Sequence, residues 1–289
     1  MVFSPKTVYI IGVRPDFPDR CGKPTLRKGE QMHPVFLQLG SFQIRSYGFM
    51  AMLGFLTGWL FIRMNRKHAD LTEDQASNLL LIAMVTGILG ARIFYVVQFW
   101  DEHFASAPWW MAFRIDRGGL VFYGGFLLAM AAVIGYCRWR KLDVVRVLDV
   151  FAPAMAAAHA CGRIGCFLNG CCYGKMTTSV FGVRYPLASG IPFGHPGAKV
   201  HPIQLYEAGE NILACAFYFY LVRKGRRGTA MAAYMLVYGV CRFVNEFFRG
   251  DNPLYGGITI AQWICLGLIP VGGGLLVYFW RKGGHVAKA

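Results

Sequence analysis

The chain has 289 residues, of which 55% are hydrophobic and 16% charged, and its mean hydropathy is +0.40. Soluble domains carry about a quarter charged residues, so this composition indicates a membrane protein. An excess of 30 Lys and Arg over 15 Asp and Glu would favour nucleic acid in a soluble chain, but in an apolar chain it is typical of cytoplasmic loops and of contact with anionic lipid. We therefore expect a lipid bilayer as a partner and no nucleic acid.

Seven stretches are long and apolar enough to cross a bilayer, which takes about 20 residues per helix. In chain order they are residues 46–62, 77–100, 118–137, 144–168, 202–222, 229–248 and 258–280. Polar loops such as RMNRKHADLTED and RKGRRG separate them. The predicted fold class is an all-α integral membrane protein, a bundle of seven transmembrane helices.

Basic residues are concentrated in alternate loops, and the cytoplasmic side of a membrane protein holds such an excess. Thirteen Lys and Arg follow the first, third, fifth and seventh stretches, whereas the loops between the others hold six. The pattern predicts an N-terminus outside and a C-terminus in the cytoplasm.

The start of the chain fits this topology poorly. Residues 1–41 are interpreted as an N-terminal extension, and residues 42–289 as one seven-span membrane domain. Residues 1–31 carry six Lys or Arg on the predicted outer side and lack the apolar core of a signal peptide. Two interpretations stay open, a short outer extension or an over-called start with translation beginning at Met32.

Apart from Arg146, which lies at the cytoplasmic start of the fourth span and can snorkel to the interface, the polar residues that we single out inside the predicted spans fall at one depth. Arg92, Arg163 and Arg242 lie in the last third of the second, fourth and sixth spans, where an arginine costs about 2.5–3.5 kcal/mol at the helix centre on insertion scales. The first, third and fifth spans carry polar residues near their starts, namely Tyr47, Tyr123, His201, Gln204, Tyr206 and Glu207. In the predicted orientation this is the outer-leaflet level. A structural polar network would explain such a layer, but several cations at one depth favour a site for an anionic ligand.

The sixth span carries a charged stripe, since Tyr238, Arg242, Glu246 and Arg249 share one helical face in YGVCRFVNEFFR. A helix-stabilising ion pair through Glu246 explains part of it. Arginine also binds phosphate through two parallel hydrogen bonds. The stripe therefore favours an outer-leaflet phospholipid head group as ligand.

The segment HACGRIGCFLNGCCYGK, residues 159–175, is rich in glycine and cysteine. Its glycines indicate close helix packing, a broken helix end or backbone N–H groups turned toward a ligand, and packing alone does not explain Arg163 among them. The spacing of Cys161, Cys166, Cys171 and Cys172 is not that of a zinc site. Small packing residues are favoured, a disulfide through Cys171 or Cys172 is the alternative, and no metal is expected. His159 does not face Cys161, because residues i and i+2 diverge on a helix.

Two further clusters open predicted spans. In GGLVFYGG, residues 118–125, Tyr123 stands between paired glycines and is either an interface anchor or part of the site. In HPIQLYEA, residues 201–208, helix capping and an aromatic belt explain part of the polar pattern, and a polar lining explains the rest.

Together, SYG at 46–48, GGLVFYGG at 118–125, GRIGCFLNG at 162–170, HPIQLYE at 201–207 and YGVCRFVNEFFR at 238–249 resemble, in order, the motifs of the prolipoprotein diacylglyceryl transferases. The resemblance runs from about His33 to about Trp280. It implies transfer of the diacylglyceryl group of phosphatidylglycerol to the lipobox cysteine thiol of a preprolipoprotein. A thioether would form and glycerol 1-phosphate would be released, at the outer leaflet of the bacterial inner membrane and without metal or cofactor.

The resemblance also implies roles for residues. Arg163 and Arg242 fall on the family's two key arginines, and other motif positions are occupied by Tyr47, Asn169, Gly174, Glu246 and Arg249. Tyr123 joins the two arginines as a catalytic candidate. The polar pattern adds four residues as substrate contacts, namely His201, Gln204, Glu207 and Tyr238.

Our hypothesis is that Arg163 and Arg242 bind the lipid phosphate while Asn169, Tyr47 and Gln204 orient the head group. Tyr123 or Glu207 would accept the thiol proton.

Three positions depart from the family pattern. Cys166 stands where many members have Asn, and Cys171 where many have an acidic residue. Tyr123 stands where some members carry His, and a phenol with a pKa of about 10 is a weaker base at neutral pH. Two alternatives stay open, a relative that acts on another lipid or acceptor, and a transporter or lipid-binding membrane protein without chemistry.

Overall fold

The structure, a computed structural model, describes residues 33, 35–39, 42–115, 118–185, 199–249, 252 and 254–282. Residues 1–32, which hold most of the predicted N-terminal extension, lie outside the described residues.

Seven long helices account for most of the described chain. They are α1 (Ser46–Asn65), α2 (Glu73–Gln98), α3 (Phe122–Trp139), α4 (Val144–Leu168), α5 (Ile203–Arg223), α6 (Thr229–Phe248) and α7 (Ile260–Lys282). Three antiparallel ribbons pair β1 (Val35–Leu39) with β2 (Phe42–Arg45), β3 (Val183–Arg184) with β4 (Lys199–Val200), and β5 (Leu254–Tyr255) with β6 (Ile258–Thr259). Each helix coincides with a predicted stretch to within a few residues.

The largest differences from the predicted ends have local causes. The helix α2 begins earlier, at Glu73, because Thr72 and Gln75 form a reciprocal capping box that satisfies the first backbone N–H groups. The helix α3 begins later, at Phe122, because Gly118 and Gly119 adopt φ values of 81° and 77°, which a right-handed helix does not accommodate.

Five helical stretches are long and apolar enough to cross a membrane: Ser46–Ala69, Glu73–Gln98, Phe122–Trp139, Val144–Leu168 and Ile260–Lys282. Large apolar side chains on them, such as Leu56 and Leu89, are about half exposed, as expected for surfaces that contact lipid. The helices α5 and α6 are not among the five. Their predicted crossing of the membrane stays a prediction.

The described residues fall into two compact units. The first is Asp70–Val144, in which α2 and α3 pack through glycines: a Cβ added at Gly90 would lie 2.5 Å from the carbonyl oxygen of Gly124. Only glycine permits this close backbone approach.

The second unit consists of the described parts of Gly22–Ala69 and Val145–Ala289. Its most buried long helix is α4, which α1 approaches closely at Gly54. The α4 carboxylate of Asp149 accepts hydrogen bonds from the backbone N–H groups of Gly228 and Met231 and thereby caps the first turn of α6. These contacts fix α4 against α6.

Candidate active site

A buried network of charges joins α4, α5 and α6 within the second unit. The carboxylate of Glu207, whose side chain is 3% exposed, contacts the Nε of Arg163 through Oε2 and accepts a hydrogen bond of 3.1 Å from Nη1 of Arg242 through Oε1. Nη2 of Arg242 lies 2.9 Å from Oε2 of Glu246, one helical turn away on α6. Three residues of the predicted polar layer, Arg163, Glu207 and Arg242, thus lie together with Glu246 of the charged stripe.

The network is held by mutual neutralisation. A buried charge is tolerated only when it is paired and hydrogen-bonded, and removal of one partner leaves the other uncompensated. Glu207 is the central member, because it is the one carboxylate that contacts both Arg163 and Arg242 among the described residues. The amide of Asn252 completes the shell by donating to Glu246.

The two arginines of the network differ in what their terminal nitrogens do. Both Nη atoms of Arg242 contact carboxylates. Arg163 is instead held through Nε, which contacts Glu207 and donates a hydrogen bond of 3.2 Å to Nε2 of His159. In the described part of the chain, no residue accepts a hydrogen bond from either Nη atom of Arg163. These two Nη atoms, the fork of the guanidinium, therefore remain available to a ligand.

A cleft open to its surroundings lies beside the network between α4, α5 and α6. Its polar end includes His159, Glu207 and Arg242. Aromatic rings continue the wall: Tyr238 packs against His159 at 6.0 Å and stacks on Tyr234 at 5.8 Å between ring centroids. A cleft with a charged end and an aromatic wall has a lining suited to a small polar head group.

His159 is a site residue whose role the sequence interpretation did not assign. In the sequence its nearest candidate partner is Cys161, which it does not face on the helix. Its side chain is 26% exposed, lines the cleft and contacts Arg163. The signal was present in the sequence, because His159 and Arg163 are four residues apart and so share one helical face.

The segment after α4 brings three cysteines together. Gly170, with φ of 71°, ends the helix, and the N–H groups of Gly170 and Cys171 donate to the carbonyls of Phe167 and Cys166. This is the Schellman arrangement, which places the side chains of Cys166 and Cys171 in register. The three Sγ atoms of Cys166, Cys171 and Cys172 lie within 4.8 Å of one another, all as free thiols.

The third cysteine has an unusual environment. Cys172 adopts φ of 63°, in the left-handed region. Hydrogen bonds with the thiols of Cys166 and Cys171, and the positive charges of Arg249 and Arg163, hold the pKa of the Cys172 thiol well below its usual range. Neither the disulfide nor the simple packing role that the sequence suggested describes this cluster fully.

Two residues predicted to contact substrate have packing roles in the structure. The fully buried Gln204 donates from Nε2 to the carbonyl of Cys171 and accepts a hydrogen bond of 3.1 Å from Tyr185. Burial raises the pKa of the Tyr185 hydroxyl, which keeps it a donor. Gly174 leaves no room for a side chain, since an added Cβ would lie 2.7 Å from the carbonyl oxygen of Phe248. Gln204 and Gly174 thus fix the loop that follows α4.

The remaining predicted contacts surround the network. Tyr47 on α1 lies against Gly165 of α4, and Asn169 donates its backbone N–H to Gly165 at the helix end. His201 lies 3.3 Å from the hydroxyl of Tyr206. The backbone N–H of Arg249 donates to the carbonyl of Glu246.

Tyr123 belongs to the first unit, where it stands in the first turn of α3 with 37% of its surface exposed. Its share in the site stays a prediction.

Comparison with known proteins gives a consistent result. Residues 34–278 match the family described as prolipoprotein diacylglyceryl transferase. A phosphatidylglycerol–prolipoprotein diacylglyceryl transferase of Clostridium tetani is 33% identical over 245 residues, which cover 83% of this chain and 95% of the relative. Proteins of the same name from Clostridium kluyveri and Polynucleobacter necessarius are each 32% identical and cover 88% and 87% of this chain, and 100% and 97% of their own length.

Proposed function

The chain belongs to the prolipoprotein diacylglyceryl transferase family, and from that premise we propose that it transfers the diacylglyceryl group of phosphatidylglycerol to the lipobox cysteine of a preprolipoprotein. The cysteine sulfur forms a C–S bond with the glyceryl carbon, the bond from that carbon to the phosphate oxygen breaks, and glycerol 1-phosphate leaves. The thiol proton passes to an acceptor on the enzyme. One observation carries the proposal. Arg163 contacts the buried carboxylate of Glu207 through Nε, and among the described residues nothing accepts a hydrogen bond from its two Nη atoms.

Arg163 is assigned to the lipid phosphate. Its Nε contact with Glu207 fixes the guanidinium plane and leaves the two Nη atoms to donate in parallel to two phosphate oxygens. Such donors stabilise the negative charge that grows on the departing glycerol phosphate, and they are most effective where water is excluded. Arg163 thereby acts on the leaving group.

Arg242 is assigned a positioning role, which differs from the role we expected from the sequence. Both of its terminal nitrogens contact carboxylates, and one of these, Glu207, is the residue that orients Arg163. Arg242 therefore acts on the phosphate through Glu207 and Arg163. The charge of Arg242 also allows Glu207 to remain ionised in a buried position.

The acceptor of the thiol proton is one of two residues. Glu207 is unsuited, because both of its oxygens contact arginines. His159 lies in the cleft beside Arg163, and Tyr123 is the candidate that the family resemblance implies. We replace each residue in turn, His159→Gln and Tyr123→Phe. The acceptor is the residue whose loss lowers the rate at neutral pH and lets it recover at alkaline pH, where the peptide thiol is already ionised.

The membrane setting follows from the same proposal. The apolar helices and the family indicate a multi-pass protein of the bacterial inner membrane. We place all seven helices across the bilayer, with the N-terminus outside, the C-terminus in the cytoplasm and the charged network at the outer leaflet. The basic loops support this orientation, and the partners are phosphatidylglycerol, the lipobox segment and the bilayer.

The test is a reaction of purified protein in phosphatidylglycerol micelles with a lipobox peptide. Mass gain on the peptide cysteine and release of glycerol phosphate are measured for the wild type, Arg163→Ala and Arg242→Ala. The matched control is Arg184→Ala, which removes an exposed arginine of β3. We expect adduct in the wild type and control and loss in both site variants.

Two outcomes contradict the proposal in different ways. If the folded wild type binds phosphatidylglycerol but forms no adduct, the protein uses this lipid with an acceptor other than the lipobox cysteine. Full activity of Arg163→Ala would show that Arg163 does not bind the lipid phosphate.

A further inference from the structure

The three thiols that follow Arg163 on α4 and its loop have the arrangement of a metal site. We propose that Cys166, Cys171 and Cys172 bind one thiophilic d¹⁰ metal ion, of which Zn²⁺ is the common example, through three thiolate sulfurs. The site is separate from the transfer reaction proposed above and does not depend on it.

The sulfur positions fit an ion closely. A Zn–S bond is about 2.3 Å, so three sulfurs around one ion lie about 3.8–4.0 Å apart. The Sγ atoms of Cys171 and Cys172 are 3.7 Å apart, and all three sulfurs lie within 4.8 Å of one another. The separations exceed the ideal distance by at most about 1 Å, so small side-chain movements would complete a trigonal face, with a fourth position left for an exogenous ligand.

The backbone is arranged to bring the third thiol to the other two. The Schellman ending of α4 explains why Cys171 meets Cys166, because side chains at these two positions commonly touch. It does not explain Cys172, a residue with a side chain held at φ of 63°. A residue other than glycine is strained in this left-handed conformation, which persists where the surroundings require it.

The surroundings fix the loop independently of any ion. Gln204, which has no exposed surface, holds the carbonyl of Cys171, and Tyr185 in turn holds Gln204. Two of the three ligands therefore sit on backbone that is ordered before binding, which lowers the entropy cost of assembling a site.

The charge of the neighbourhood suits the complex. Three thiolates with a divalent ion carry a net charge of about −1 by formal counting, and the positive charges of Arg163 and Arg249 act on this cluster. Soft thiolate ligands select d¹⁰ ions such as Zn²⁺ and Cu⁺ over Mg²⁺ and Ca²⁺. The site is therefore one for thiophilic ions.

The experiment measures binding without lipid or peptide, so its outcome is independent of transferase activity. Reduced, purified full-length protein in detergent is titrated with Zn²⁺, and bound metal per chain is determined after gel filtration; Cd²⁺ gives a second readout through thiolate-to-metal charge-transfer absorption. Cys171→Ser and Cys172→Ser are compared with the wild type. The matched control is Cys161→Ser, a half-buried cysteine of the same helix outside the cluster.

We expect one equivalent of Zn²⁺ in the wild type and in Cys161→Ser. Affinity should fall at least about 100-fold in Cys171→Ser and in Cys172→Ser, since loss of a ligand exceeds the 10- to 100-fold effect of losing an outer partner. Thermal unfolding of the metal-free variants, unchanged from the wild type, shows that they are folded. Equal Zn²⁺ binding in wild type and cluster variants, or no binding by reduced wild type, overturns the proposal.

Discussion

Arg92 and Arg163 occupy similar places in different units, each in the last third of an apolar helix, yet their surroundings differ. Arg92 donates from Nε and Nη2 to the carbonyls of Ala112 and Met111, and from Nη1 to those of Gly118 and Gly119. All three of its nitrogens are engaged.

Arg163 is anchored by Nε to a carboxylate and a histidine, and in the described residues nothing accepts from its Nη atoms. Depth in an apolar helix therefore does not distinguish an arginine whose nitrogens are all engaged from one whose Nη atoms are open to a ligand. The difference lies in the groups that accept hydrogen bonds from each guanidinium. Backbone carbonyls saturate Arg92 and make it a clamp for the segment between α2 and α3, whereas a single-point anchor leaves Arg163 free to bind an anion.

The largest expected effect comes from removing the anchor. Glu207→Gln leaves Arg163 and Arg242 without their shared counter-charge, and breaking a buried pair costs about 3–5 kcal/mol. We expect a large fall in thermal stability in detergent together with loss of adduct formation. Glu210→Gln is the matched control, because Glu210 lies one turn along the same helix and contacts Asn245 rather than the two arginines. Equal stability of the two variants contradicts the central place of Glu207.

The next effect concerns the fork itself. Arg163→Lys keeps the charge but cannot donate two parallel hydrogen bonds, and loss of one donor to a developing oxyanion typically costs about 100- to 1000-fold in rate. We expect this loss in the rate of adduct formation, with thermal unfolding changed by a few degrees at most. Near-wild-type turnover of Arg163→Lys would falsify the assignment of Arg163 to the phosphate.

Arg92→Lys should give the opposite pattern. Hydrogen bonds from a charged group are worth about 1.5–3 kcal/mol, so losing part of this set lowers stability by a comparable amount. Turnover per folded molecule should stay close to wild type. The two lysine variants are compared in one assay, with thermal unfolding as the stability readout and adduct formation as the activity readout. If Arg92→Lys loses turnover while keeping its melting temperature, the distinction between the two arginines fails.

The smallest effect tests the loop that follows Arg163. Tyr185→Phe removes the hydrogen bond to Gln204 and leaves a buried amide oxygen without its donor, a change of about 1 kcal/mol. We expect a modest drop in melting temperature. Faster alkylation of Cys171 and Cys172 should accompany it, because the Cys171 carbonyl is less firmly held. Unchanged alkylation rates would show that Gln204 holds the loop without help from Tyr185.

The sequence determined the helices and the family. All seven predicted stretches correspond to helices, since hydropathy and helix-ending glycines act over a few residues. The family motifs in order indicated the relatives that comparison then found. The pairing of Arg242 with Glu246 could also be predicted from the sequence, because an i, i+4 contact depends on helical geometry alone.

Only the tertiary structure decided what each polar residue contacts. Arg163 and Glu207 lie on different helices, so no spacing in the sequence reveals that they meet or that Arg163 does so through Nε. Gln204, a predicted substrate contact, is buried and donates to the carbonyl of Cys171 in the loop after α4, which no pattern in the sequence predicted.

The three cysteines show the same limit, because their spacing argued against a metal while a left-handed turn brings their sulfurs together. Secondary structure follows from short-range patterns, whereas the partner of a buried charge or thiol is set by which helices pack against one another.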